Sequence, residues 1–65
     1  MTTENIIFEK AVKINSVETL TVAIEETFMG NYSIVAYTDV LFVEKFANDV
    51  EEAKTIALKL FVKYS

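Results

Sequence analysis

Cysteine, histidine, proline, arginine and tryptophan are all missing from this chain of 65 residues, and glycine occurs once. Each absence closes a class of explanation. Without Cys there is no disulfide framework and no thiolate metal site. Without His, hydrolytic triads and imidazole-ligated metals fall away. Without Arg, bidentate readout of bases and phosphates is lost. The lone Gly30 cannot form a glycine-rich phosphate cradle. No uncharged apolar run approaches the length of a membrane span. The opening Met1-Thr2-Thr3-Glu4-Asn5 carries no basic n-region, so the expectation is a cytoplasmic protein of a bacterium, an archaeon or one of their viruses. Asn31-Tyr32-Ser33 then matches the glycosylation sequon by chance.

Positive charge is scarce as well. Six Lys against ten Asp and Glu give a formal charge of −4. The lysines, Lys10, Lys13, Lys45, Lys54, Lys59 and Lys63, are dispersed. A phosphate footprint needs them clustered, so no nucleic-acid partner is expected. Nor is −4 a continuous phosphate-like array, which argues against mimicry of DNA.

What the chain has is grease. Apolar residues make up 52% of it, and the mean hydropathy of +0.31 argues against intrinsic disorder. Length allows a single domain over residues 1–65. A domain of this size buries only about 60% of the surface its unfolded chain exposes. Natural proteins this small usually carry a disulfide, a metal or a partner. Cysteine excludes the first. The missing His and Cys and the scattered acids disfavour the second, so no metal and no cofactor is expected. Self-association, or docking on a larger protein, is left.

Residues 6–14 alternate as a strand, with Ile6, Phe8, Val12 and Ile14 on one face and Lys10 interrupting. Ile7 and Ala11 then face outward with Glu9 and Lys13. Residues 16–29 fit two patterns. Helical spacing aligns Val17, Leu20, Ile24 and Phe28, with Asn15 and Glu18 as a capping box and Gly30 after the end. Strand alternation sets Leu20, Val22, Ile24 and Phe28 against Thr19, Thr21, Ala23 and Thr27, and the threonines suit a strand. Glu25 and Glu26 also sit badly at a helix C-terminus. An internal echo favours the helix. Asn15-Ser16-Val17-Glu18 resembles Asn48-Asp49-Val50-Glu51, and in each copy a Phe, Phe28 or Phe61, follows the Val by eleven residues.

Residues 32–37 and 40–46 are rich in β-branched and aromatic side chains and predict a hairpin across Thr38-Asp39. Residues 49–64 make the clearest helix, with Glu51 and Glu52 at its start and Lys59 and Lys63 near its end. The expected fold is therefore α+β: a β-α-β-β-α domain, its three-stranded sheet in order 1-3-2 with two helices on one face. The alternative is a four-stranded antiparallel meander plus the C-terminal helix.

A sheet covered on one face leaves the other open. Val35, Tyr37, Leu41 and Val43 are the expected outer apolar residues, and form the candidate interface. On that register Val43→Lys breaks an oligomer and Phe42→Lys unfolds the domain. Large apolar patches are unusual on monomers. Burying about 300 Å² of apolar surface contributes on the order of 7 kcal/mol before association entropy, comparable to the stability of a small domain. A second candidate surface is an acidic rim on the first helix, Glu18, Val22, Glu25, Glu26 and Met29, suited to a basic, partly apolar partner. The plain alternative is a solvated helix face.

Catalysis finds little support. Glu25-Glu26 and Glu51-Glu52 are adjacent in sequence and diverge by about 100° on a helix, so neither is a ready acid/base pair. Ser16 has no neighbouring base and reads as a cap. Glu9, Asp39 and Glu44 could meet across a sheet as a weak metal site, although their spacing does not require one. Tyr32, Tyr37 and Tyr64 fit packing better than stacking on a ligand. The function expected is a non-enzymatic interaction module acting as a homo-oligomer, a dimer through the open sheet face. A concrete version is an inhibitor carried by a phage or other mobile element, acting on a larger host protein in an anti-defence role. Alternatives are a small-molecule-binding module with its site at the oligomer interface, lined by Tyr37 and Phe42, and a structural subunit of a larger assembly.

Overall fold

The computed structural model describes residues 5–64, with side chains from Ile6 onward. The polar opening Met1–Glu4, on which the expected absence of a targeting segment partly rests, lies outside the described residues. Four strands, β1 (Asn5–Lys13), β2 (Thr19–Glu26), β3 (Tyr32–Tyr37) and β4 (Phe42–Ala47), precede one helix, α1 (Val50–Tyr64). All neighbouring strands pair antiparallel, in the order β1-β2-β3-β4. The three-stranded 1-3-2 sheet with two helices is therefore wrong, and the meander with a C-terminal helix is the fold. Within the described residues α1 is too short to cross a membrane.

Residues 16–29 account for the difference. Leu20, Val22 and Ile24 are fully buried, all on one side of β2. Helical spacing needs Val17 and Phe28 in the core, yet they are 81% and 99% exposed. The echo that aligns Asn15 with Asn48 misleads: the capping side chain of the second copy is Asp49, one residue further on. Asn15 Oδ1 accepts from the backbone N–H groups of Val17 and Glu18, at 2.9 and 2.8 Å. Asp49 Oδ1 accepts from Glu52 N–H in the same manner, at 2.8 Å. The backbone bonds then run in opposite directions. Ile14 N–H donates forward to the Glu18 carbonyl and closes a hairpin, whereas Ala53 N–H donates back to the Asp49 carbonyl and starts a helix. A short polar side chain that accepts from the amide three residues on serves either geometry. What differs is the chain beyond it: threonines at Thr19 and Thr21, against Ala53, Lys54 and Ala57.

The β2–β3 connection is compact. Gly30 N–H donates to the Thr27 carbonyl, Thr27 N–H to the Asn31 carbonyl, and the Thr27 hydroxyl to Asn31 Oδ1. Gly30 has φ +89°, a left-handed backbone that favours glycine. Gly30 thus serves a hairpin turn rather than a helix end.

The helix lies over β2, β3 and β4, and only side chains of β1 such as Phe8 and Val12 reach toward it. Its buried residues, Ala53, Ala57 and Leu60, meet Leu20, Val22, Ile24, Ile34, Ala36 and Ala47. Alanines on both sides of this contact allow a close approach. The molecule measures 37 × 29 × 15 Å, its short dimension that of one sheet plus one helix. β1 carries an irregularity at Ile7: Ile6 pairs with Glu25, but Phe8 pairs with Ile24. The extra residue moves Ile6 to the side away from the helix, while Phe8 and Val12 stay on the helix side. The expected grouping of Ile6 with Phe8 and Val12 is corrected accordingly.

Candidate functional site

The side of the sheet that α1 does not cover is built by register. On β3 it carries Ser33, Val35 and Tyr37; their partners on β4 are Phe46, Glu44 and Phe42. On β2 it carries Thr21, Ala23 and Glu25, and on β1 Ile6, Glu9, Ala11 and Lys13. Ile6, Glu9, Ala23, Glu25, Val35 and Tyr37 line a shallow depression of about 300 Å³ in its middle. Tyr37, Phe42 and Phe46 stand out from the β3–β4 side, 40%, 67% and 59% exposed. Tyr37 and Phe42 are direct cross-strand partners, a pairing that itself stabilises a sheet.

Of the four expected interface residues, Val35 and Tyr37 lie on this open face. Leu41 precedes β4 in the β3–β4 turn, where its carbonyl accepts the Thr38 N–H and it lines a concavity with Tyr37 and Phe42. Val43 does not lie on the open face. It pairs with Ala36 on the helix-bearing side and packs against the core. The outer residues of β4 are Phe42 and Phe46, on the side opposite to Val43. Both sides of this strand are apolar, so alternation alone does not choose between them. Packing does: Val43 and Ala47 join the core beneath α1, and Phe42 and Phe46 take the other side.

The second candidate surface is dispersed. Without a first helix, Glu18 belongs to the β1–β2 loop and Val22 is fully buried. Glu25 faces the open side, Glu26 pairs with Tyr32 at the end of β2, and Met29 sits at the β2–β3 turn. Those five residues form no common face. Glu9 and Glu44 lie on opposite edge strands, with Asp39 in the β3–β4 turn, so the three acids do not converge. Among the described residues no group of three or more His, Cys, Asp or Glu could hold a metal ion.

The chemistry of the open face is aromatic and acidic. Glu9, Glu25 and Glu44 share it with a single ammonium, Lys13. Ser33, buried between β2 and β4, donates to Glu44 Oε2 at 2.8 Å and holds that carboxylate against the sheet. The arrangement has the composition of a protein interface: large aromatic side chains among held polar groups. In comparisons with known proteins, the chain matches no family model, no curated protein and no solved structure.

Proposed function

We propose that this protein is a non-enzymatic interaction module that associates with itself through the open face of its sheet, in the cytoplasm. One observation carries the reading. A sheet of four strands has a helix on one side only, and the other side presents Tyr37, Phe42 and Phe46 to solvent. A domain of this size gains much from covering such a face. The absence of Cys and His, which removes the common staples and the common catalysts together, supports the same reading.

The test is absolute mass in solution, by light scattering behind size exclusion, over a concentration series. The expected result is a mass above the 7.4 kDa of one chain that rises with concentration. A mass of one chain at every concentration overturns self-association, and makes the open face a docking site for a different protein.

A further inference from the structure

The lysines are unevenly divided between the two sides of the molecule. Lys10 and Lys45 pair with Val22 and Ile34 on the helix-bearing side, and Lys54, Lys59 and Lys63 are on α1. Only Lys13 is on the open face. Three of these lysines surround one cleft. Between β4 and the C-terminal half of α1 lies a concavity of about 320 Å³ floored by Val43, Ile56 and Leu60. Lys45, Lys59 and Lys63 rim it, and Tyr64 closes its end, with Lys63 Nζ 5.4 Å from the Tyr64 ring centroid.

The open face has the opposite character. Along the outer side of β4 run Phe42, Glu44 and Phe46: aromatic, acid, aromatic. Pressing two open faces together about a two-fold axis brings Glu9, Glu25 and Glu44 of one copy against the same residues of the other. Lys13 alone answers them on each side. Like charges desolvated at an interface oppose binding. Seating the open face of one copy on the lysine-rimmed cleft of another removes that conflict. Phenylalanine then meets an apolar floor, and carboxylate meets ammonium.

We propose that copies of this chain associate head to tail, the Phe42–Glu44–Phe46 column of one seated in the Lys45/Lys59/Lys63 cleft of the next. The proposal rests on the self-association reading and specifies its geometry. A heterologous contact leaves one face and one cleft unused at the ends, so assembly continues unless it closes into a ring.

Charge reversal tests the arrangement. Glu44→Lys alters the face, and Lys59→Glu with Lys63→Glu alters the cleft. The expected result is that each variant alone has the mass of one chain, and that an equimolar mixture recovers association, at least to a 1:1 dimer through its one intact face–cleft pair. Recovery on mixing also demonstrates that both variants are folded; if Glu44→Lys fails to fold, Phe46→Lys replaces it. If the cleft variant alone assembles as the wild type does, the contact is two-fold: self-association stands and the head-to-tail arrangement falls. Two folded monomeric variants that stay monomeric when mixed overturn it equally. A wild-type chain that is monomeric throughout removes both.

Discussion

Ser33 donates its hydroxyl to Glu44 Oε2 at 2.8 Å, across β3 and β4 on the open side of the sheet. In register, Ser33 faces Phe46 and Glu44 faces Val35, so the bond runs diagonally and ties the aromatic column of β4 to the sheet. Ser33 is the single buried polar residue among the described residues. Edge strands are the least constrained parts of a sheet, and β4 is an edge. A side-chain bond to its inner neighbour adds a tie that holds β4 in register.

Ser33→Ala removes that bond while keeping the backbone ladder. The expected cost is about 1 kcal/mol, since hydrogen bonds to charged groups contribute somewhat more than neutral ones but Glu44 is exposed and solvent partly replaces the serine. Urea unfolding checks it. The midpoint should fall with an unchanged slope, and a changed slope would mean that the strand itself had come loose.

Phe42→Lys and Val43→Lys should behave in opposite ways. Phe42 is on the open face and Val43 packs on the core. Phe42→Lys should cost the monomer about 0.2–1 kcal/mol through the lost pairing with Tyr37, and reduce self-association. Val43→Lys should lower stability by about 1–3 kcal/mol, because it puts an ammonium against the apolar underside of α1. Thermal unfolding at low concentration separates the two. Equal loss of fold by both variants would contradict the observed register.

Gly30→Ala probes the β2–β3 turn. No atom lies within 4 Å of the added Cβ, so sterics with neighbours contribute nothing. The φ of +89° remains unfavourable for alanine, and a destabilisation of about 1 kcal/mol is expected from backbone conformation alone. A neutral result in chemical denaturation would show that the turn relaxes to another geometry.

Asp49→Ala and Asn15→Ala remove side-chain caps that look alike in sequence. Asp49 caps the helix by accepting from Glu52 N–H at 2.8 Å. Its loss should cost about 0.5–2 kcal/mol and lower helix content where the domain is partly unfolded. Asn15 closes a hairpin loop. Its replacement should destabilise the β1–β2 hairpin, seen as faster amide exchange in residues 12–20, with exchange in α1 unchanged.

Much of the fold was legible locally. The β3 range of Tyr32–Tyr37 agrees with its apolar alternation, and the α1 range of Val50–Tyr64 with its cap, its dipole-matched charges and its apolar stripe. β1 was legible as a strand, but its facing was not. The irregularity at Ile7 shifts Ile6 relative to Phe8, and an extra residue leaves no mark in the alternation itself. Residues 19–26 were misread because Asn15 with Glu18 presents the same acceptor geometry as a helix start. Whether the next amide bonds forward or back depends on what the following residues can pack against.

Local signals alone identified a small α+β fold without Cys or His, a helix over residues 49–64, and a hairpin that is apolar on both sides. Those properties follow from composition, periodicity and capping, all local. Tertiary structure alone decided which side of β4 became surface. Ala53, Ala57, Ala36 and Ala47 belong to one buried cluster on the helix side, Val43 packs against it, and the register then turns Phe42 and Phe46 to the other side. Volume in a packed layer is a property of two elements meeting, and neither strand nor helix carries it alone.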